Sequence, residues 1–563
     1  MKSKLLILLA SAAMILTGCG GSKCKKDIGD DLLPTPITDS LKFAQADDLE
    51  GKKFASTSED VNSYDHYGYV TLRSCTDGDT ANFVQSGYVD ESNKPITIKT
   101  RFLAVNTPES TAKVEPWGKK ASLFTKHVLE EAQAKADEES KQQNKTVYNI
   151  ALISDPAVHG VKDSAGNRWL AFVWYRKSSA DKWRLLNLEL VEQAYSKNQL
   201  YIDSSMCDYR KAFENAHKVG EKCGYRVFGQ DDPGFDYTTQ TYEYSLWGIK
   251  EHYDDIGISE SGGSGVQLIV TALVVGLQGD SLYLRDLFID NEQYEKEGDN
   301  AMLAGGYGYA GYNSALASTL QNASTAYGMD GTGVGLVLRF YARATIYSGN
   351  VQLSDIQAKT TGKKKLEILT ADNFASYSTS FSWAKIYHEK GTVTYEDAAT
   401  SVEPVALPAN QIRTTNGTVE CKYPDLLPYA GQWVQVNLTV RSVTSQDDDD
   451  KEEQNNVMRT PTKDGSKYWR NDNATTAAYT VYAKFQGKDG TVFCNIRVDA
   501  SLNPMVNKSY WGTDDRFDID SPNSPVGKTW KVTGYLVRYF EGFQIQLANN
   551  YLAYNYLQQI SNS

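Results

Sequence analysis

Three short stretches in the first half of the chain carry the side chains that phosphorus chemistry uses. Asp77 and Asp79 flank a glycine in Asp77-Gly78-Asp79-Thr80, Arg101, Asn106, Thr107 and Glu109 share one short segment, and Arg168 stands further on. Hydrolysing a phosphodiester requires a cation on the non-bridging oxygens, an oriented water, a proton acceptor, and donors matched to a pentavalent transition state. Asp79 after a turn and Asn106 at the end of a strand offer oxygens to a hard cation, and the Thr107 carbonyl adds a third. Glu109, with Pro108 stiffening the chain before it, is placed to hold or deprotonate water. Arg101 and Arg168 supply forked hydrogen bonds to phosphate oxygens. Singly, each has an ordinary explanation: turn acids, a surface arginine, a solvated loop acid, an edge-strand charge. Their joint occurrence in this order points to a site.

Five separated segments carry a wider pattern. They are Asp77–Thr80; Thr100-Arg101-Phe102-Leu103-Ala104-Val105-Asn106-Thr107-Pro108-Glu109; Trp117–Lys126; Asp163–Ala171 with Gly166 and Arg168; and Leu186-Asn187, Leu190-Val191, Gln193-Ala194. In this order and spacing they resemble the staphylococcal nuclease (thermonuclease) family. The resemblance implies a calcium site at Asp79, Asn106 and the Thr107 carbonyl. It implies a general base at Glu109 and transition-state arginines at Arg101 and Arg168. It also implies a nucleic-acid substrate, DNA or RNA, cut to leave a 3′-phosphate. Two positions depart from the family. Asn106 stands where an Asp is usual, which removes a unit of negative charge and predicts weaker calcium binding. Ala165 precedes Gly166, and Asn167 is inserted before Arg168; a one-residue bulge would re-aim the arginine.

The elements that must position these groups follow from periodicity. Val70–Cys75 and Thr80–Gln85 alternate around Asp77-Gly78, the mark of a hairpin, and Ile96–Val105 reads as a third strand. Trp117–Lys135 is helical, with Ala121, Phe124, Val128 and Ala132 on one face. Val147–Ser154 and Arg168–Tyr175 read as strands, and Leu185–Tyr195 and Asp208–Lys222 as helices. The expected fold over 66–230 is an α+β OB-fold barrel with helices. Beyond it, Val266–Val275 echoes Trp433–Arg441, and Gly349-x-x-Gln352-Leu353 echoes Gly542-x-x-x-Gln546-Leu547. The chain therefore reads as two further mainly-β, OB-like modules at 236–360 and 401–555, joined by a connecting segment at 361–400. Tyr535, Tyr539 and Phe543 fit sheet packing better than a binding face, and the tyrosines of Gly305–Tyr312 fit a flexible loop or a hairpin with packed tyrosines better than a platform for stacked bases.

Net charge is −12, but residues 66–230 hold 23 Lys and Arg against 20 Asp and Glu, so the excess acid lies elsewhere. Lys2 and Lys4 precede an apolar run that ends in Leu16-Thr17-Gly18-Cys19. This predicts a signal peptide at 1–18 and a bacterial lipoprotein's lipidation at Cys19, with 19–60 as a tether to the extracytoplasmic face of a membrane. The remaining cysteines are scattered and predict no disulfide framework; Cys207 and Cys223, on one helix, would lie about 24 Å apart. The six histidines lack zinc-ligand spacing. Asp447–Asp450 lacks the alternation of a calcium loop and reads as a solvated insertion. No protein partner is predicted. The functional expectation is an exported, membrane-anchored, calcium-assisted nuclease. Its alternatives are a catalytically weak or inactive nucleic-acid-binding lipoprotein and a structural β-module surface protein.

Overall fold

The computed structural model describes residues 32–374 and 402–560, apart from short stretches within the first span and residues 446–478, 499–526 and 548–556 within the second. Cys19 and Asp447–Asp450 lie outside the described residues. The chain divides after Pro233 into two compact units.

In the first unit, β1 (Tyr67–Tyr69) and β2 (Thr71–Asp77) are one strand interrupted at Val70. They are followed by β3 (Thr80–Val84), β4 (Ile98–Phe102) and β5 (Ala104–Asn106). Then come β6 (Ile150–Ile153), β7 (Trp169–Tyr175), β8 (Arg184–Leu185) and β9 (Lys197–Gln199). The sheet order is β1-β6-β7-β4-β3-β2, so the two halves of the first strand close a barrel. The pairings are antiparallel except β4 with β7. β7 reads Trp-Leu-Ala-Phe-Val-Trp-Tyr, an unbroken apolar run with six of its seven residues buried, as a central strand covered on both faces requires.

The helices are α1 (Pro36–Ser40), α2 (Gly118–Gln143), α3 (Leu186–Glu192) and α4 (Cys207–Cys223). α2 buries Ala121, Thr125, Leu129, Ala132 and Ala136, a single stripe at helical spacing. It runs past the expected end at Lys135 because its charged last turns pair with one another: Lys135 Nζ meets Glu138 Oε2 at 2.8 Å, and Gln142 Nε2 meets Glu138 Oε1 at 2.8 Å.

Two expectations are corrected here. The single strand Ile96–Val105 is broken at Leu103, where Ala104 takes φ 64°. The fully buried Asn187 carboxamide repairs the break, accepting from Val173 N (2.8 Å) and donating to the carbonyls of Leu103 (2.9 Å) and Ala171 (3.1 Å). The expected tether is also shorter, because residues from Leu33 to Phe54 pack on the barrel. Phe43 stacks on Trp174 at 4.6 Å, Leu49 and Phe54 are buried, and Glu192 accepts from the amides of Ile37 and Thr38 at 2.9 Å. Cys223 is disulfide-bonded, which the scattered spacing did not predict.

In the second unit a small hairpin, β10 (Phe235–Asp236) and β11 (Thr241–Tyr242), precedes two closed barrels. The first barrel comprises β12 (Val266–Gln278), β13 (Ser281–Arg285), β14 (Gly305–Tyr309), helix α5 (Leu316–Ala326), β15 (Val337–Tyr347) and β16 (Asn350–Ser354). An edge strand β17 (Glu367–Leu369) pairs with β15, so this barrel reaches into the expected connecting segment. The second begins with a short β18 (Val405–Ala406) and contains β19 (Trp433–Ser445), β20 (Tyr479–Gln486), β21 (Thr491–Val498), β22 (Thr529–Tyr539), β23 (Gly542–Gln546) and β24 (Leu557–Gln559). The strand orders, β12-β13-β14-β16-β15 and β19-β20-β21-β23-β22, are the same, closed by β12–β15 and β19–β22. In each, the third and fifth strands run parallel. The duplicated modules expected from the sequence are present as two five-stranded OB-like barrels. Tyr535 and Phe543 are buried in their packing. Among the described residues no helix is long and apolar enough to cross a membrane.

Candidate active site

The turn between β2 and β3 presents Asp79. A Cβ on Gly78 would lie 2.7 Å from Thr107 Oγ1 and 3.0 Å from Ala121 Cβ, so only glycine lets the turn nest against the loop and helix. Thr125, on the buried stripe of α2, donates to the Gly78 carbonyl at 2.6 Å and holds the turn down. Asp79 is buried at 2 % exposure. Its Oδ2 accepts from Thr107 N at 2.9 Å and its Oδ1 from the Thr80 hydroxyl at 3.1 Å.

Arg101 sits opposite Thr80 in the β3–β4 register. Its Nη1 pairs with Asp79 Oδ1, and its Nη2 donates to Asn106 Oδ1 at 2.5 Å. The break at Leu103 matters here. β5 leaves the barrel sheet to pair with β9, Asn106 opposite Lys197, and the Asn106 amide donates to Ser196 Oγ at 2.8 Å. The Asn106 side chain thereby faces back toward Arg101. One guanidinium ties the turn, the third barrel strand and the loop after it.

Arg168 enters from the start of β7. The inserted Asn167 takes φ 54°, the left-handed conformation that Asn tolerates, and so absorbs the extra residue. Asp163 clamps the arginine: its Oδ1 accepts from the Arg168 amide at 2.8 Å, and its Oδ2 accepts from Nε at 2.8 Å and Nη2 at 2.5 Å. The remaining Nη1 donates to Thr80 Oγ1 at 3.2 Å. Thr80 thus joins the Asp79–Arg101 pair to Arg168.

The electrostatics place the two cations and Glu109 in one field. Burial first, and next the neighbouring Arg168 cation, hold Arg101 below its ordinary range. Burial also pushes the Glu109 carboxyl up, and the adjacent Asp77 carboxyl, which shares a hydrogen bond with it, pushes it further; Arg101 opposes this. A carboxylate with a raised pKa near cations is a stronger base than a free one, the state a general base needs. Every site residue expected from the sequence in this domain, Asp79, Arg101, Asn106, Thr107, Glu109 and Arg168, lies in this one network. Sequence reasoning assigned no role to Asp77, Thr80, Thr125, Asp163 or Asn187. All five stood inside quoted motifs, and their roles emerge only from the fold.

Residues 99–223 match the family model of the staphylococcal nuclease homologues. The chain carries a staphylococcal nuclease-type domain. The match begins inside β4, and the structure completes the nuclease-type barrel with β1 to β3, which bring in Asp77 and Asp79. The family is one of nucleases, so this domain's business is nucleic acid. No curated protein was found to match the chain. Among the described residues no group of three or more His, Cys, Asp or Glu is arranged to hold a metal. Two hard oxygens, Asp79 Oδ1 and Asn106 Oδ1, nonetheless converge on a single positive charge, that of Arg101. The donor types suit calcium, with one formal charge between them.

Proposed function

We propose that the chain is an exported, membrane-anchored nuclease that hydrolyses phosphodiester bonds of DNA or RNA with calcium assistance. The observation that carries this reading is the convergence of Asp79, Asn106, Arg101, Arg168 and Glu109 at one end of a nuclease-type barrel. In this mechanism Arg101 and Arg168 bind the scissile phosphate and stabilise the charge that grows on its oxygens in the transition state. Glu109 takes the proton of the attacking water, and its raised pKa makes it the stronger acceptor. Asp163 and Thr80 hold Arg168 so that its geometry costs little when substrate arrives. Arg101 has two sets of partners to choose between, the Asp79–Asn106 oxygens and the phosphate. Asp79, Asn106 and the Thr107 carbonyl would hold calcium, which when bound supplies positive charge to a non-bridging oxygen. Export and anchoring rest on the Lys2–Cys19 segment, and the disulfide at Cys223 supports an oxidising compartment.

A second reading has its own observation. The neutral Asn106 and the closed Asp79–Arg101–Asn106 trio favour a barrel that binds strands and cuts them weakly or not at all. Titrating calcium into the soluble protein with plasmid as substrate, with Glu109→Gln as control, separates the two. Calcium-dependent cutting lost in Glu109→Gln supports the nuclease. Retained binding without cutting at any calcium level supports the binder.

A further inference from the structure

The segment before β1 and the loop that carries Arg168 meet at a pair of histidines that phosphodiester cleavage does not use. The imidazoles of His66 and His159 stack at 4.1 Å with 15° between their planes. His66 takes φ 62°, the left-handed region that histidine enters more readily than most residues. Its carbonyl accepts from Ser154 N at 2.9 Å, just past the end of β6. Loop 155–168 starts there. Asp155 caps the short turn Pro156–Val158, accepting from Ala157 N at 2.8 Å, and His159 follows. Gly160 lets the loop lie down, since a Cβ on it would come within 2.6 Å of Val61 Cγ1. Tyr64 packs its ring on His66 at 4.2 Å and meets Trp169 edge-on at 6.5 Å. Lys162 bridges to Trp169 and lays its ammonium 4.7 Å over the indole. The next residue is Asp163, the clamp on Arg168. The stack is thus the far end of one run of contacts that finishes on Arg168.

The place suits a neutral ring. His66 is 7 % exposed, and its Nδ1 is buried without a hydrogen-bond partner. A bare lone pair is tolerable there, whereas a proton on Nδ1 would make a buried, charged donor with no acceptor. Burial first, and next the His159 imidazole, hold His66 below the ordinary histidine range; a backbone hydrogen bond with Val61 and the Asp65 charge push the other way. The charged groups around the ring are engaged elsewhere. Asp65 accepts from Lys53 N at 2.9 Å and pairs with Lys52 Nζ at 3.2 Å. Asp60 accepts from Asn62 N at 2.9 Å, Asp155 caps its own turn, and Lys162 adds a further cation. The Tyr64 phenol, pushed up by burial, stays neutral. His66 is therefore harder to protonate with the loop closed than with it open. The closed form keeps its full stability above the ordinary histidine pKa and loses it as pH falls below that value.

We propose that the His66–His159 stack is an acid-sensitive latch: it holds loop 155–168 closed while His66 is neutral, and protonation of His66 opens the loop and releases Arg168 from its position. The two histidines are positioning residues, acting on Arg168 through Lys162 and Asp163. One histidine with a pKa of about 6.5 in the open form makes opening about tenfold more favourable at pH 5.5 than at pH 7.5. The test is amide hydrogen exchange of the full soluble chain, corrected for the intrinsic effect of pH on exchange. It needs no substrate, so its result stands apart from whether the chain cuts nucleic acid. Protection of the Val161, Asp163, Asn167 and Arg168 amides, which close the loop, should fall about tenfold between those pH values. Phe172, Val173 and Trp174 at the centre of the barrel should keep theirs. His66→Asn tolerates the left-handed backbone, and His66→Phe keeps a ring on the stack. Neither side chain ionises, so each variant should show the same protection at both pH values, within about twofold, whatever its level at pH 7.5. A wild-type loop that stays protected at pH 5.5, a pH-dependent loss that persists in either variant, or a loss shared by the centre of the barrel would overturn the latch.

Discussion

The nuclease-type barrel and the paired barrels of the second unit share one strand order, with parallel third and fifth strands and a helix between strands three and four in the first two. They use it differently. The nuclease-type barrel gathers charge: Asp79, Asn106 and Arg101 satisfy one another, and Asp163 satisfies Arg168. A cleft of the second unit gathers hydroxyls and amides, those of Ser281, Asn350, Gln352 and Tyr535 among them, and leaves the Tyr535 hydroxyl and Asn350 Oδ1 without hydrogen bonds. The lesson is that topology fixes where side chains can meet, and their types decide what happens there. A closed set of ion pairs also suits a site that opens only when a stronger ligand, a phosphate, competes for its arginine.

The largest test of this contrast removes the charge. Arg101→Gln and Glu109→Gln should each lower plasmid cleavage about 10³-fold, measured at saturating calcium. Denaturant unfolding of the second unit should be untouched; a parallel loss there would merge two units held to be separate. Conversely, a Cβ on Gly305 would fall on the Gly431 carbonyl, so Gly305→Ala forces the two barrels apart and should cost the second unit about 3 kcal/mol in denaturant unfolding. Nuclease activity should survive it. Asn106→Asp restores the missing charge and should lower the calcium needed for half-maximal cutting about tenfold. An unchanged requirement would mean that Arg101 keeps both oxygens whatever stands at 106. The smallest effect is on pH. Glu109 must be ionised to accept a proton, so its raised pKa makes activity fall early as pH drops. Asp77→Asn removes a repelling carboxylate, so Glu109 ionises at lower pH. The acid limb of the rate profile should move down while the plateau stays; a fixed limb would detach Asp77 from the base.

Much of the site was legible because its residues sit in local patterns, a glycine turn and a strand end. The missing parts are tertiary. Ala104 turns left-handed because Asn187, far along the chain, catches the carbonyl beside it, and no local rule places that contact. Leu33, Phe43, Leu49 and Phe54 were read as a tether because they are spaced without helical or strand rhythm among polar neighbours. Their burial depends on a surface that exists only after the barrel has closed. The inserted Asn167 was foreseen as a bulge because its spacing against the family pattern was one residue long. The clamp at Asp163 needed the fold, since an acid inside a loop motif carries no sign of its partner. The duplicated modules were readable because both copies end in the same glycine and glutamine, although the first copy's extra edge strand, β17, lay in a polar stretch without a repeat.

The seating of Phe43 against Trp174 and of Glu192 under Ile37 and Thr38 has one more effect. If Cys19 carries lipid, it stands only thirteen positions ahead of Leu32, a span of at most about 45 Å when fully extended. The nuclease-type barrel would then lie within about that distance of the lipid, and a long strand would have to come to the cell surface to meet it.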